Sequence, residues 1–168
     1  MSVSESVRRA WENNLRVNQV LLSHLSPEML ASRTPGGGMS VAQHLAHIVG
    51  SVKYWGTQFD SGLEALPRLF TVREGLPEDD PEAYVPETDL GRIREVMRET
   101  YEAVLGAAQA ATQKGATAYG ESHDSPDAFL IHMMVHDAHH RGQILLALKT
   151  AGHPLPDEDA VWGPWRGG

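Results

Sequence analysis

Ser125-Pro-Asp-Ala-Phe-Leu-Ile-His-Met-Met-Val-His-Asp-Ala-His-His-Arg-Gly-Gln-Ile-Leu-Leu-Ala-Leu-Lys-Thr-Ala-Gly152 reads as one helix from end to end. Ser125 is a good N-cap, and Pro126 suits the first helical position, where its missing N–H leaves nothing unpaired. Asp127 complements the positive end of the helix dipole. Lys149 lies in the last turn, and Gly152 stands where the chain must leave the helix. Between these ends Phe129, Met133, Ile144 and Ala147 keep the three- and four-residue spacing of a single face. His136 and His140 fall in line with that face, so the spacing predicts that both imidazoles point inward. His139 is rotated off it.

Working outward from this helix, the same punctuation marks three more. The first runs from about Ser4 to Leu25 on Val7, Trp11, Leu15, Leu22 and Leu25, with Asn18 as a polar interruption and Ser26-Pro27 as its stop. After Arg33-Thr-Pro-Gly-Gly-Gly38, Ser40 and Gln43 form a capping box. It opens a second helix to about Phe59, with Val41, Leu45, Ile48, Val52 and Trp55 as its stripe. A third spans about Asp89 to Lys114 on Leu90, Ile93, Met97, Tyr101, Val104 and Ala108. The stretch from Asp60 to Glu87 holds four prolines and two glycines and few periodic apolar residues, so it reads as a long crossover loop. The expected fold is all-α: a four-helix bundle with a long crossover loop between helices 2 and 3, in one domain over residues 1–168.

The composition suits such a domain. At 168 residues, 41% hydrophobic and 21% charged, the chain can bury a substantial core. It contains no cysteine, which excludes disulfides, a thiolate nucleophile and cysteine-built zinc modules. Any metal must rest on His, Asp or Glu. The formal charge is −8, with Lys and Arg scattered singly, so no basic stripe awaits a phosphate backbone and nucleic acid is not an expected partner. Neither a leader nor a membrane-length apolar run is recognisable, and a cytoplasmic location is expected.

Four of the nine histidines, His132, His136, His139 and His140, fall within nine residues. Residues four apart share a helical face, so His136 and His140 can direct both rings at one ion. Two buried imidazoles side by side lose hydrogen bonds unless something satisfies them, and a metal does so. A third ligand has to come from another helix. His47 and His44 both lie on or beside the buried face of the second helix, and periodicity alone does not separate them. Two other metal-site patterns fit less well. His136-Asp-Ala-His-His140 resembles the zinc-peptidase His-Glu-x-x-His, but Asp stands where the base Glu belongs. A di-iron bundle site needs Glu-x-x-His, and no histidine here has Glu three residues before it.

Met39-Ser-Val-Ala-Gln-His-Leu-Ala-His-Ile48, His136-Asp-Ala-His-His-Arg-Gly-Gln-Ile144 and the tail Ala151-Gly-His-Pro-Leu-Pro156 together resemble the pattern of the DinB-like metalloenzyme family. The resemblance implies a divalent metal on His47, His136 and His140, zinc or nickel first and iron next. It also implies a thiol-dependent S-transferase acting in detoxification or stress, with a low-molecular-weight thiol and a small molecule as partners. A metal-dependent hydrolase and a non-catalytic metal-binding stress protein are the alternatives. A homodimer is implied as well, with the alanine-rich third helix as a surface for close packing. Around the ligands, His132 is read as a core or substrate-touching residue, Asp137 and Gln143 as partners of ligand rings or of solvent, and Gly142 as a point of close helix packing. Trp162 and Trp165 are read as covering the bundle end or the pocket mouth.

Overall fold

The computed structural model describes residues 3–77, 83–115 and 123–166, and it is mostly helical. Four long helices, α1 (Glu5–Ser23), α2 (Val41–Gly56), α3 (Leu90–Gln113) and α4 (Pro126–Thr150), surround one apolar core. Their ends are fixed by the local chemistry that the sequence carries. The Ser40 and Gln43 side chains exchange both hydrogen bonds of the capping box, and Asp89 and Ser125 each cap a backbone N–H of the first turn. Gly152, at φ +83°, takes the left-handed conformation just beyond α4.

The helices pack through the stripes that the periodicity marks. Trp11, Ile48, Val52, Ile93, Met97, Tyr101, Phe129, Met133 and Ile144 are all buried. The Trp11 and Tyr101 rings stack at 4.9 Å, and the Trp11 indole donates to the Tyr101 carbonyl, tying α1 to α3. Gly56 lies where α2 meets α3 so closely that a Cβ there would stand 2.7 Å from a Val104 methyl. The face of α2 is shared between α3 and α4, and α1 packs across both from the other side.

The connection from 60 to 87 departs from the expected loop. It holds a short 3-10 turn, Ser61–Ala65, and two antiparallel strands, β1 (Phe70–Val72) and β2 (Tyr84–Pro86), with Phe70 opposite Pro86 and Val72 opposite Tyr84. Residues 78–82 of this connection lie outside the described residues. Strands of three residues are too short to show alternation, and their pairing joins segments more than ten residues apart, so nothing local announces them. The hairpin rests on α2, and buried Lys53 of α2 donates to the Leu66 carbonyl at 2.6 Å, holding the segment down.

Two smaller expectations also change. Gly142 is exposed, with nothing within 4 Å of the Cβ it lacks, so among the described residues it serves no close helix contact. Trp162 and Trp165 lie in a 3-10 turn that packs along α1; Trp162 covers core and Trp165 is exposed. No helix among the described residues is long and apolar enough to cross a membrane.

Candidate metal centre

His136 and His140 stand one turn apart on α4, and α2 brings His47 opposite them. One nitrogen from each ring lies within 4.8 Å of the other two. The contacts are closer still: His136 Nε2 is 3.2 Å from His47 Nε2 and 3.1 Å from His140 Nε2. An imidazole nitrogen either donates one hydrogen bond or accepts one. His136 Nε2 therefore cannot serve both neighbours properly, and three ring nitrogens are left pointing at one spot. The arrangement fits a cation. Nitrogens about 2.0–2.1 Å from a tetrahedral zinc ion stand about 3.3–3.4 Å apart, close to the separations seen.

The other face of each ring supports the same orientation. His140 Nδ1 lies 2.9 Å from His44 Nδ1. With the His140 lone pair on Nε2, its proton sits on Nδ1 and donates to His44, which thus holds the ring in one tautomer. Among the described residues, His136 Nδ1 is buried with no hydrogen-bond partner; facing it at 3.9 Å is Asp137 Oδ1, also buried and without one there. Burial and the neighbouring histidines push the His140 pKa down to about 3, and burial first, then His47 and His139, pushes His44 down to about 4. Desolvation and the nearby His136 also lower His47. Such rings are uncharged near neutral pH, as ligands must be.

The cluster sits at the margin of the fold, not on the axis of its core. His140 is buried, His136 partly buried and His47 exposed. The centre of the α4 face is Asp137, fully buried; of the histidine pair that the spacing turned inward, His140 is buried and His136 partly buried at the edge. Its Oδ2 accepts from Asn14 at 2.6 Å, from Asn18 at 3.1 Å and from the Tyr101 hydroxyl. Arg141, buried one turn on, donates to the Asn14 and Asn18 carbonyls at 2.8 and 2.7 Å. Burial raises the Tyr101 pKa well above its ordinary value, helped by the Asp137 charge, and burial lowers that of Arg141. Asp137 thus joins α1, α3 and α4 behind the cluster instead of meeting solvent. Sequence reading missed Asn14, Tyr101 and Arg141 in this network; two asparagines four apart on the apolar face of α1 were the available signal.

Among the other candidates, exposed His132 pairs with buried His123 at 2.8 Å, outside the cluster, and His139 is exposed beside His140. Gln143 is half-buried. A cavity of about 430 Å³ opens beside His47, between α2 and the β1–β2 hairpin.

The DinB family model matches residues 1–166 of the chain. A crystal structure of a DinB-like protein from Bacillus cereus shares the fold with a TM-score of 0.64, over 93% of this chain and 98% of that one, at 21% identity. No curated protein matches the sequence.

Proposed function

We propose, from the premise that the chain belongs to the DinB family, that it is a metal-dependent S-transferase whose divalent ion rests on His47, His136 and His140. The observation that carries this reading is the convergence of those three nitrogens within 4.8 Å of one another, at an edge where His47 is exposed. We read the four long helices as a single-domain bundle with a crossover, which places the cluster between facing helices. Zinc and nickel suit an all-imidazole donor set, and iron follows them. When bound, such an ion supplies Lewis acidity that lowers the pKa of a thiol or water reaching it.

The chain's own residues do the rest. His47, His136 and His140 present lone pairs, His44 fixes the tautomer of His140, and Asp137 faces the outer nitrogen of His136. With no cysteine in the chain, the sulfur must come from a low-molecular-weight thiol in solution. That thiol gives its S–H proton to solvent, its sulfur bonds to the electrophilic carbon, and the leaving group departs with the bonding pair. The test is turnover of model electrophiles by zinc- or nickel-loaded protein with small bacterial thiols, set beside esters and amides without thiol. Thiol- and metal-dependent turnover is expected. Cleavage of esters or amides without thiol would replace this reading by a hydrolase, and silence at full metal occupancy by a binding protein.

A homodimer belongs to the same reading. Support comes from exposed Ile131, Val135 and Leu146 along one side of α4, whereas α3 presents exposed ion pairs, Arg92 with Glu95 and Arg98 with Glu102. Light scattering should give twice the 18.4 kDa chain mass, and Val135→Glu should shift it toward the monomer. A monomer mass for the unaltered protein at micromolar concentration would end the idea.

A further inference from the structure

The cavity beside His47 has a chemistry of its own. Its floor is one face of α2, on which His47, Gly50 and Tyr54 follow one another at helical spacing, and its far wall is the hairpin residues Phe70 and Tyr84. The Phe70 and Tyr84 rings meet edge to face at 5.3 Å, as do those of Tyr54 and Trp55 at 5.4 Å, so aromatic surface bounds the space on both sides. Among the described residues, none that lines it is Lys, Arg, Asp or Glu. The polar side chains that line it are few: Gln43, His47, Ser51 and the amphipathic Tyr54, Trp55 and Tyr84. Gln43 already spends its carbonyl oxygen on the Ser40 N–H.

In the metal-free protein an ionised ligand entering here would shed water and meet no opposite charge from the lining, whereas a flat apolar one would exchange water for aromatic faces. We propose that this cavity is a binding site for an uncharged, largely apolar small molecule bearing an aromatic ring, held with one end at His47. As the place of the electrophile this rests on the transferase reading above, since His47 is the one residue that the cavity and the three-histidine cluster share. The cavity's preference for neutral apolar ligands stands apart from that reading. A charged thiol then reaches the cluster from the solvent side, where His47 and His136 are open, and not through the aromatic slot.

Gly50 provides the means of testing this. It lies inside α2 at the cavity floor, and a Cβ built there meets nothing within 4 Å. Gly50→Leu therefore fills the space without straining the backbone and replaces a poor helix former with a good one. The probes are N-phenyl-naphthylamine and anilinonaphthalenesulfonate, which share their rings and differ by one sulfonate, each titrated by fluorescence into metal-free and zinc-loaded protein. In metal-free protein the neutral probe should bind once per chain, at least about tenfold tighter than the sulfonate. Gly50→Leu should weaken it by at least about tenfold, with zinc content unchanged and the unfolding midpoint no lower. Tyr54→Asp, at an exposed side chain on the rim, should weaken the neutral probe as well. Equal binding of the two probes, or unaltered neutral-probe binding in both variants, would overturn the proposal. Neutral-probe binding lost in Gly50→Leu, in a protein that takes up no zinc, would uphold the cavity and sink the three-histidine reading instead.

Discussion

His136→Ala is expected to leave the fold intact and to strip the protein of its metal. The unaltered chain should hold about one divalent ion, because three imidazole nitrogens converge on one spot and the central one, His136 Nε2, touches both others at 3.1 and 3.2 Å. Structural zinc sites with four ligands bind with about 10–16 kcal/mol, so one ligand carries on the order of 3 kcal/mol, and its loss should weaken binding by about 100-fold or more. The ring is only partly buried, so its truncation opens no large cavity. His44→Ala acts differently. It removes only the partner of His140 Nδ1, so it should lower affinity by about tenfold while full loading stays attainable. Elemental analysis after dialysis reads the stoichiometry. Thermal unfolding supplies a readout independent of activity, since metal at about 100 times Kd should stabilise the unaltered protein by about 2.7 kcal/mol and the His136 variant by almost nothing. Metal kept by His136→Ala and lost by His44→Ala would reverse the assignment.

Asp137→Ala is expected to destabilise the fold by about 3–5 kcal/mol, the range for breaking a buried charged cluster from one side. Asp137 is fully buried and accepts from Asn14, Asn18 and Tyr101, with Arg141 Nη1 at 3.9 Å. Without the carboxylate, the guanidinium stays buried with no anion, the Asn14 amide and the Tyr101 hydroxyl lose this acceptor, and the Asn18 amide keeps only its bond to Tyr101. Urea unfolding gives the number. Asp137→Leu combined with Arg141→Met should recover part of the loss, because an apolar pair removes both charges together. A change below about 1 kcal/mol in Asp137→Ala, or no recovery in the double variant, would show that the network adds little to stability.

The fold was legible to the extent that its signals are local. A capping box is a matter of residues three apart, and an apolar stripe of residues three and four apart. Ser40 with Gln43, Asp89, Ser125 and Gly152 therefore mark helix ends in the sequence as they do in the structure. The closeness of His136 and His140 is of the same kind. The choice between His44 and His47 is not, because both lie near one face of α2 and only the neighbouring helix separates them. Packed against α4, His47 Nε2 meets His136, while His44 turns its Nδ1 to the back of His140.

The turn of α4 about its own axis is likewise a matter of long-range packing. By its own residues α4 has apolar and polar groups on every side; the stripe of Phe129, Met133, Ile144 and Ala147 is buried as its spacing indicates, but the sequence leaves open what lies at its centre. What settles the rotation is that α1 and α3 supply two asparagine amides and a tyrosine hydroxyl, which make burial of the Asp137 carboxylate possible and leave His136 at the margin beside buried His140. The hairpin is the same case. Phe70-Thr-Val72 and Tyr84-Val-Pro86 are too short to announce themselves, and only their pairing across the connection brings aromatic rings over α2 beside His47. The four helices, the capped starts of α2, α3 and α4 and the pair of histidines one turn apart follow from contacts within a few residues, whereas α1 stops at Ser23 and α2 at Gly56, two and three residues short of the periodicity. Which polar groups are buried, which histidine ring backs which, and what closes the cavity depend on residues tens of positions apart, and those the fold alone brings together.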